Sequence, residues 1–481
     1  MWEIASDSGA YEMILAVAAY WGTQSDHRMA EVAARRLVEI ASHDPRGHFL
    51  LSAATASQEN LVESEQEVRE AIRLNPEVPL FRATLGAVLQ QQSRKLEAEH
   101  ELCEAISMDS NCGVARLYLG ILRYNSEEFT KAEMELRKAI PSVESEHVHY
   151  YLGLTLSKVG RQMEALEELK KATALNPDYE SAHLALGILL RKEGLLEEAE
   201  HEYREAIRCN PSSEMGHSGL AWILAERGQD EDAIEAFREA VRCNPLQPVY
   251  HYNLGILSYK LGRKQAAISE YKEALRCDPN CADARVNLAG VYLDESQLDT
   301  AEEELRELVL RAPELAKAHR ALGVVLGRQE QNEAAESAYR EAIRLDPNYI
   351  EAHLELASML YGQNRLEPAV LEFKEAVRCD NFNVQARLGL GLTLQDLGLR
   401  EQAMEQYGFV AGMAEAPQRG LARAAVAHLL ALEGRFDEAE ADAREALRQD
   451  PSLWQARLTV AAALSSKGDL KGARKEFHKL L

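Results

Sequence analysis

Long apolar runs are missing from this chain, and so are the short signatures that carry chemistry. The apolar stretch from Met13 to Trp21 is too short to span a bilayer, and the opening Met1-Trp2-Glu3-Ile4-Ala5-Ser6-Asp7 lacks the basic region of a secretory leader. Neither insertion into a membrane nor export is therefore expected, and a cytoplasmic location is. The cysteines Cys103, Cys112, Cys209, Cys243, Cys277, Cys281 and Cys379 contain no C-x-x-C, which argues against a disulfide framework or a zinc site and fits a reducing compartment. No glycine-rich phosphate loop, G-x-S-x-G or H-E-x-x-H occurs, so neither a catalytic residue nor a cofactor is expected. Aromatics make up only 6% of residues. Basic residues are also scarce, 54 against 78 acidic ones, for a net charge of -24. That balance repels phosphate backbones and anionic membrane surfaces, so nucleic acid is not an expected partner.

What is present is a period. Pro177, Pro211, Pro245, Pro279, Pro313 and Pro347 follow one another at a constant spacing of 34, most of them after Asn or Asp, and Asn381 holds the next slot. Within one interval, Glu180 to Pro211, apolar residues recur at helical spacing in two runs. Leu186, Gly187 and Leu190 mark the first helix, and Ala199, Tyr203 and Ala206 the second. Gly194 breaks the chain between them, because it tolerates a left-handed backbone. Proline closes the unit and keeps the residue before it extended. Gly187 and Ala199 are read as the point where the two helices cross, with Tyr203 filling the larger gap and Ala206 letting the next unit approach.

This pattern resembles the tetratricopeptide repeat family, whose unit of 34 residues reads W-x2-L-G-x2-Y, then A-x3-F-x2-A, then P. The first-helix crossing appears as Leu85-Gly86, Leu119-Gly120, Leu152-Gly153, Leu186-Gly187, Leu254-Gly255, Leu322-Gly323 and Leu390-Gly391. The second-helix alanine appears from Ala98 to Ala473, and its aromatic as Tyr203, Phe237, Tyr271, Tyr339, Phe373, Tyr407 and Phe477. The resemblance implies an all-α, right-handed superhelical solenoid of about fourteen stacked antiparallel helix pairs. Three stretches are expected: 1–78 with degenerate repeats, 79–410 as the main array, and 411–481 as a short pair after an irregular joint near Gly412 and Pro417.

One departure recurs. The family's tryptophan slot is held by His149, His183, His217, His251, His319 and His353, or by Arg elsewhere. These are read as amphipathic fillers. Equivalent positions in neighbouring repeats lie roughly 10 Å apart by helix-packing distances, too far for a shared metal, so no metal site is expected.

The resemblance implies that the first helix of each pair lines a concave groove, through its second, fifth, sixth, ninth, twelfth and thirteenth residues. On this chain the expected partner-binding residues are Tyr118, Tyr124, Tyr150, Tyr151, Lys158, Ile188, Arg191, Lys192, Trp222, Tyr252, Asn253, Tyr259, Lys260, Asn287, Arg320 and Arg328. Tyrosine, tryptophan and arginine are hot-spot types, although any one tyrosine can equally pack between helices. The basic members are expected to gather in the groove while acidic residues keep to the outside, which suits an acidic or phosphorylated segment. The expected function is a non-catalytic protein–protein interaction scaffold. Two alternatives stay open. One is self-assembly through exposed ends, since Leu480-Leu481 falls inside a second helix with no polar cap after it. The other is a substrate-recruiting arm of a larger enzyme.

Overall fold

A computed structural model describes residues 12, 14–17, 27–413 and 418–480. Residues 1–11, 13 and 18–26 of the expected degenerate N-terminal stretch lie outside the described residues, as do residues 414–417 of the expected joint. The chain forms two compact units, Met1–Pro245 and Leu246–Leu481. Each is built of paired helices, and no strand occurs among the described residues.

The first helices of the pairs begin at Pro45, Pro79, Gly113, Glu146, Glu180 and Glu214 in the first unit. In the second they begin at Pro248, Ala282, Ala316, Ile350, Val384, Arg419 and Trp454. The period therefore placed the helix starts to within a residue. The Asn or Asp before most of these prolines explains why the chain turns there. Its side chain accepts the backbone N–H two residues on: Asn176 from Asp178 at 3.1 Å, Asp278 from Asn280 at 3.0 Å, Asp346 from Asn348 at 3.0 Å. Such an Asx turn satisfies backbone that would otherwise extend the helix. Between paired helices, Gly160, Gly194 and Gly228 take positive φ in the first unit, and Gly262, Gly398, Gly434 and Gly468 in the second. Where glycine is missing, Glu59, Ser93, Glu127, Ser296, Glu330 and Asn364 hold the same left-handed backbone under strain.

Packing follows the small residues. The buried Tyr203 ring lies between two glycines, where an added Cβ would come 3.1 Å from it at Gly187 of its own pair and 2.3 Å at Gly219 of the next. Phe373 presses on Gly389 in the same way. Pairs without the aromatic use Leu102, Leu136 and Leu169 against Gly86, Gly120 and Gly153. Charged ties add to this between pairs. Arg94 reaches Glu65 at 2.8 Å, Arg161 reaches Glu133 at 2.5 Å, Arg365 reaches Glu336 at 2.7 Å, and Arg227 bonds Glu200.

The histidine slot is corrected by the structure. His149, His183, His251 and His353 are buried and bonded, not fillers. Each faces a glutamate nineteen residues ahead on the second helix: Glu168 at 2.6 Å, Glu202 at 2.7 Å, Glu270 at 2.8 Å and Glu372 at 2.7 Å. His48 does the same with Glu67 at 2.6 Å. Arg82, Arg116 and Arg285 occupy this slot elsewhere and reach Glu101, Glu135 and Glu304 at 2.7, 2.5 and 2.7 Å. A basic residue in one helix thus grips an acid in its mate, which holds the pair antiparallel and in register. At His217 and His319 the partner position is Ala236 or Ala338, and only the preceding proline carbonyl is engaged, at 3.0 and 2.8 Å.

Gly219→Ala should cost about 1–3 kcal/mol, because a methyl group must displace the Tyr203 ring in a filled interior. Gly290→Ala, with open space around its Cβ, should instead gain up to about 1 kcal/mol from helix propensity alone. Urea denaturation of the two variants beside the parent chain checks both signs.

Candidate interaction surface

The expected groove residues all fall on first helices, but in two groups, because they divide between the compact units. In the first unit, Tyr118 and Tyr124 sit on Gly113–Asn125, Tyr150, Tyr151 and Lys158 on Glu146–Val159, Ile188, Arg191 and Lys192 on Glu180–Lys192, and Trp222 on Glu214–Glu226. In the second, Tyr252, Asn253, Tyr259 and Lys260 sit on Pro248–Lys260, Asn287 on Ala282–Asp294, and Arg320 and Arg328 on Ala316–Arg328.

In the first unit the tyrosines join into one stack of rings. Tyr124 meets Tyr151 at 6.0 Å between centroids, Tyr151 meets Tyr150 at 5.1 Å, Tyr150 meets Tyr179 at 5.2 Å, and Tyr179 meets His147 at 5.1 Å. The tyrosine rings are partly buried, and His147 at the end is exposed. Burial, helped by the Tyr151 and Tyr124 hydroxyls, pushes the Tyr150 phenol up to about 12, and burial raises Tyr118 and Tyr124 too. The stack packs neighbouring pairs together as well as facing outward. Tyr179 and His147 belong to it and were missed, because Tyr179 lies in a turn outside the groove register. Beyond the stack, the Arg191 guanidinium lies 5.8 Å from the Trp222 ring and 3.5 Å from Glu226. Lys158, Ile188 and Lys192 are exposed.

In the second unit several expected residues are engaged with each other. Asn253 is only 5% exposed and donates to the Val249 carbonyl at 2.7 Å, which removes it from the surface. Asn287 donates to the Tyr252 hydroxyl at 3.4 Å, and Tyr259 donates to Asp294. Arg320 pairs with Glu355 at 2.6 Å and stacks 5.7 Å from Tyr349. Burial raises the pKa of Glu355, against the pull of Arg320. Lys260 and Arg328 are exposed. These pairings also correct the charge expectation. Glu226, Asp294, Glu355 and Asp396 also stand on first helices, each on a different one from the basic residues, so acids are not confined to the outside.

An apolar concavity lined by first helices was not among the expected residues. It is a trough of about 460 Å³ in the second unit, lined by Leu388, Leu392, Gln395, Leu421, Ala424, Ala425, His428, Trp454, Gln455 and Leu458, with the Tyr407 ring beside them. They come from three successive first helices, Val384–Asp396, Arg419–Leu432 and Trp454–Ser466. Trp454 is 57% exposed, Leu421 45%, and Leu392 and Leu458 41% each. The signal was legible: Leu388, Leu392, Leu421 and Leu458 occupy the same register positions that select the earlier residues.

Sequence profiles of tetratricopeptide repeats match residues 150–214 and 320–384, residues 221–262, and residues 259–324. The chain is a tetratricopeptide repeat protein. No match to a curated protein sequence is found. Among solved structures it is similar to YrrB, described as a TPR protein with an unusual peptide-binding site, at 23% identity and TM-score 0.34, over 39% of this chain and 96% of that one. It is also similar to yeast Tom70, at 17% identity and TM-score 0.43, over 92% of this chain and 98% of that one. A tetratricopeptide repeat protein from Parabacteroides merdae matches at 20% identity and TM-score 0.43, over 52% of this chain and all of that one. These likenesses are of fold.

As a tetratricopeptide repeat protein the chain is, in general terms, a protein-interaction scaffold. Among the described residues no helix is long and apolar enough to cross a membrane, and no group of three or more His, Cys, Asp or Glu is placed to hold a metal. Arg320→Met alone should destabilise the repeat more than Arg320→Met with Glu355→Met, because the single change strands a partly buried carboxylate while the pair removes both charges. A double-mutant cycle by thermal denaturation reads the difference directly.

Proposed function

We propose that this tetratricopeptide array is a non-catalytic scaffold that holds an extended segment of a partner protein along the first-helix face of its repeats. The trough at Leu392 and Trp454 carries the reading. It leaves bulky apolar side chains open to water, and such patches on a soluble repeat protein mark interaction sites. Its lining contains no Asp, Glu, Lys or Arg, and its polar groups are the neutral or weakly basic Gln395, His428 and Gln455 with the Tyr407 hydroxyl. A charged side chain pressed into it would lose water without gaining a counter-charge. The segment that fits therefore presents bulky apolar anchors with neutral polar residues between them.

A second reading rests on Lys158 and Lys192. Both are exposed and bear no ion pair among the described residues, in a chain of strongly acidic balance. With Arg191 they suit an acidic or phosphorylated segment.

Fluorescence anisotropy with four defined peptide sets (neutral apolar, acidic, phosphorylated and basic) separates the two. Leu392→Asp and Trp454→Ala should each weaken neutral apolar peptides about tenfold, the loss of a hot-spot anchor. Arg191→Glu with Lys192→Glu should leave those peptides unchanged and weaken acidic and phosphorylated ones. Unaltered affinity in both trough variants overturns the first reading. Light scattering on the same samples distinguishes peptide capture from stacking of copies through the array's ends.

A further inference from the structure

In several pairs the basic residue that clamps the two helices has two partners, and their chemistry decides which repeats respond to protons. His183 places Nδ1 2.7 Å from the Glu202 carboxylate and Nε2 3.0 Å from the Pro177 carbonyl. His353 does the same with Glu372 at 2.7 Å and the Pro347 carbonyl at 3.3 Å. His48 does so with Glu67 at 2.6 Å and the Ser42 carbonyl at 3.2 Å. An ionised carboxylate and a carbonyl only accept hydrogen bonds. A neutral imidazole owns one N–H, so it can satisfy one of the two and must turn a lone pair on the other. Only the imidazolium donates to both.

The arginine repeats make the same two bonds with a group that never loses its charge. Arg116 reaches Glu135 at 2.5 Å and the Ser110 carbonyl at 2.8 Å. Arg285 reaches Glu304 at 2.7 Å and the Pro279 carbonyl at 3.4 Å. His149 is different again. Its Nδ1 meets Glu168, while its Nε2 is buried without a partner, so one proton suffices.

We propose that His48, His183 and His353 are proton-operated clamps, which close their helix pairs fully only as imidazolium, whereas the arginine repeats hold the identical clamp at any pH. The rings are 7%, 6% and 4% exposed, so water cannot replace a lost bond. The charged groups around His183 are Glu202, Glu205 and Arg208 on the second helix and Asp178 in the preceding turn. Arg208 is bonded to Glu205 and Asp178 and shares the Pro177 carbonyl. Around His353 stand Glu372, Glu375 and Arg378, the last bonded to Glu375. His48 faces Glu67, with Glu70 nearby and bonded to Arg73. Burial alone lowers the pKa of His183 and His353, but the carboxylate and carbonyl together outweigh it and raise both. A raised folded-state value means that the clamp's contribution is whole below the ordinary imidazole pKa of about 6.5 and is lost as pH climbs through the raised one. Alkaline pH therefore loosens the His183 and His353 repeats and leaves their arginine neighbours closed.

The test uses the full chain. Hydrogen exchange of the Glu180–Cys209 pair, corrected for intrinsic exchange rates, is measured at pH 6.0 and pH 8.5, with the Ala282–Arg311 pair of Arg285 as an internal control. Protection of the first pair should fall several-fold at the higher pH while the control holds. His183→Arg should abolish that fall. An equal fall in both pairs, no fall in the parent chain, or an unchanged fall in His183→Arg overturns the proposal. A second measurement stands apart from any variant: the His183 ring, followed by NMR in the parent chain, should titrate above the ordinary imidazole value. Titration at or below that value overturns the proposal as well.

Discussion

No helix pair in this chain can hide its own apolar face, and everything else follows from that dependence. The contact that meets it is small: a ring on the second helix pressed between a glycine of its own mate and a glycine of the next pair. At Tyr203 both sides are occupied, by Gly187 and Gly219, and no room remains for a β-carbon at the second. One side chain thereby sets the spacing within a pair and between pairs. The same economy recurs with Phe373 at Gly389 and with Tyr339 at Gly323. A core built this way grows by adding units.

Polar contacts then fix what apolar packing leaves loose. Apolar faces can slide, but a buried histidine or arginine that must find a particular carboxylate on its mate cannot. The clamps act within a pair. The arginines that reach back to Glu65, Glu133, Glu200 and Glu336 act between pairs. Each of these glutamates also takes an arginine one turn ahead on its own helix: Arg69, Arg137, Arg204 and Arg340. A partly buried carboxylate with two cations costs far less to desolvate than a lone one.

The first helices carry two duties that compete for the same side chains. They must pack on their neighbours, and in the proposed reading they also meet the partner. Through much of the array the first duty prevails: the tyrosine stack around Tyr150, the Tyr252–Asn287 contact and the Arg320–Glu355 pair all join adjacent helices. Near Leu392 and Trp454 the side chains are apolar and open, which is why the proposed reading leaves that section to the second duty.

The repeat itself was legible in the linear chain. A constant proline spacing, glycine at the crossing and glycine at the turn impose local geometry that few other residues accept, so helix starts and pairings could be read directly. The face proposed for a partner was half legible. Register told which residues lie on first helices, and every expected residue lies there. It could not tell that Asn253 spends its amide on Val249, that Tyr179 joins the stack from a turn, or that histidine faces glutamate nineteen residues away. Local backbone preference is written residue by residue and survives in sequence. Which polar group meets which depends on how two helices are laid against one another, and only the packed structure decides that.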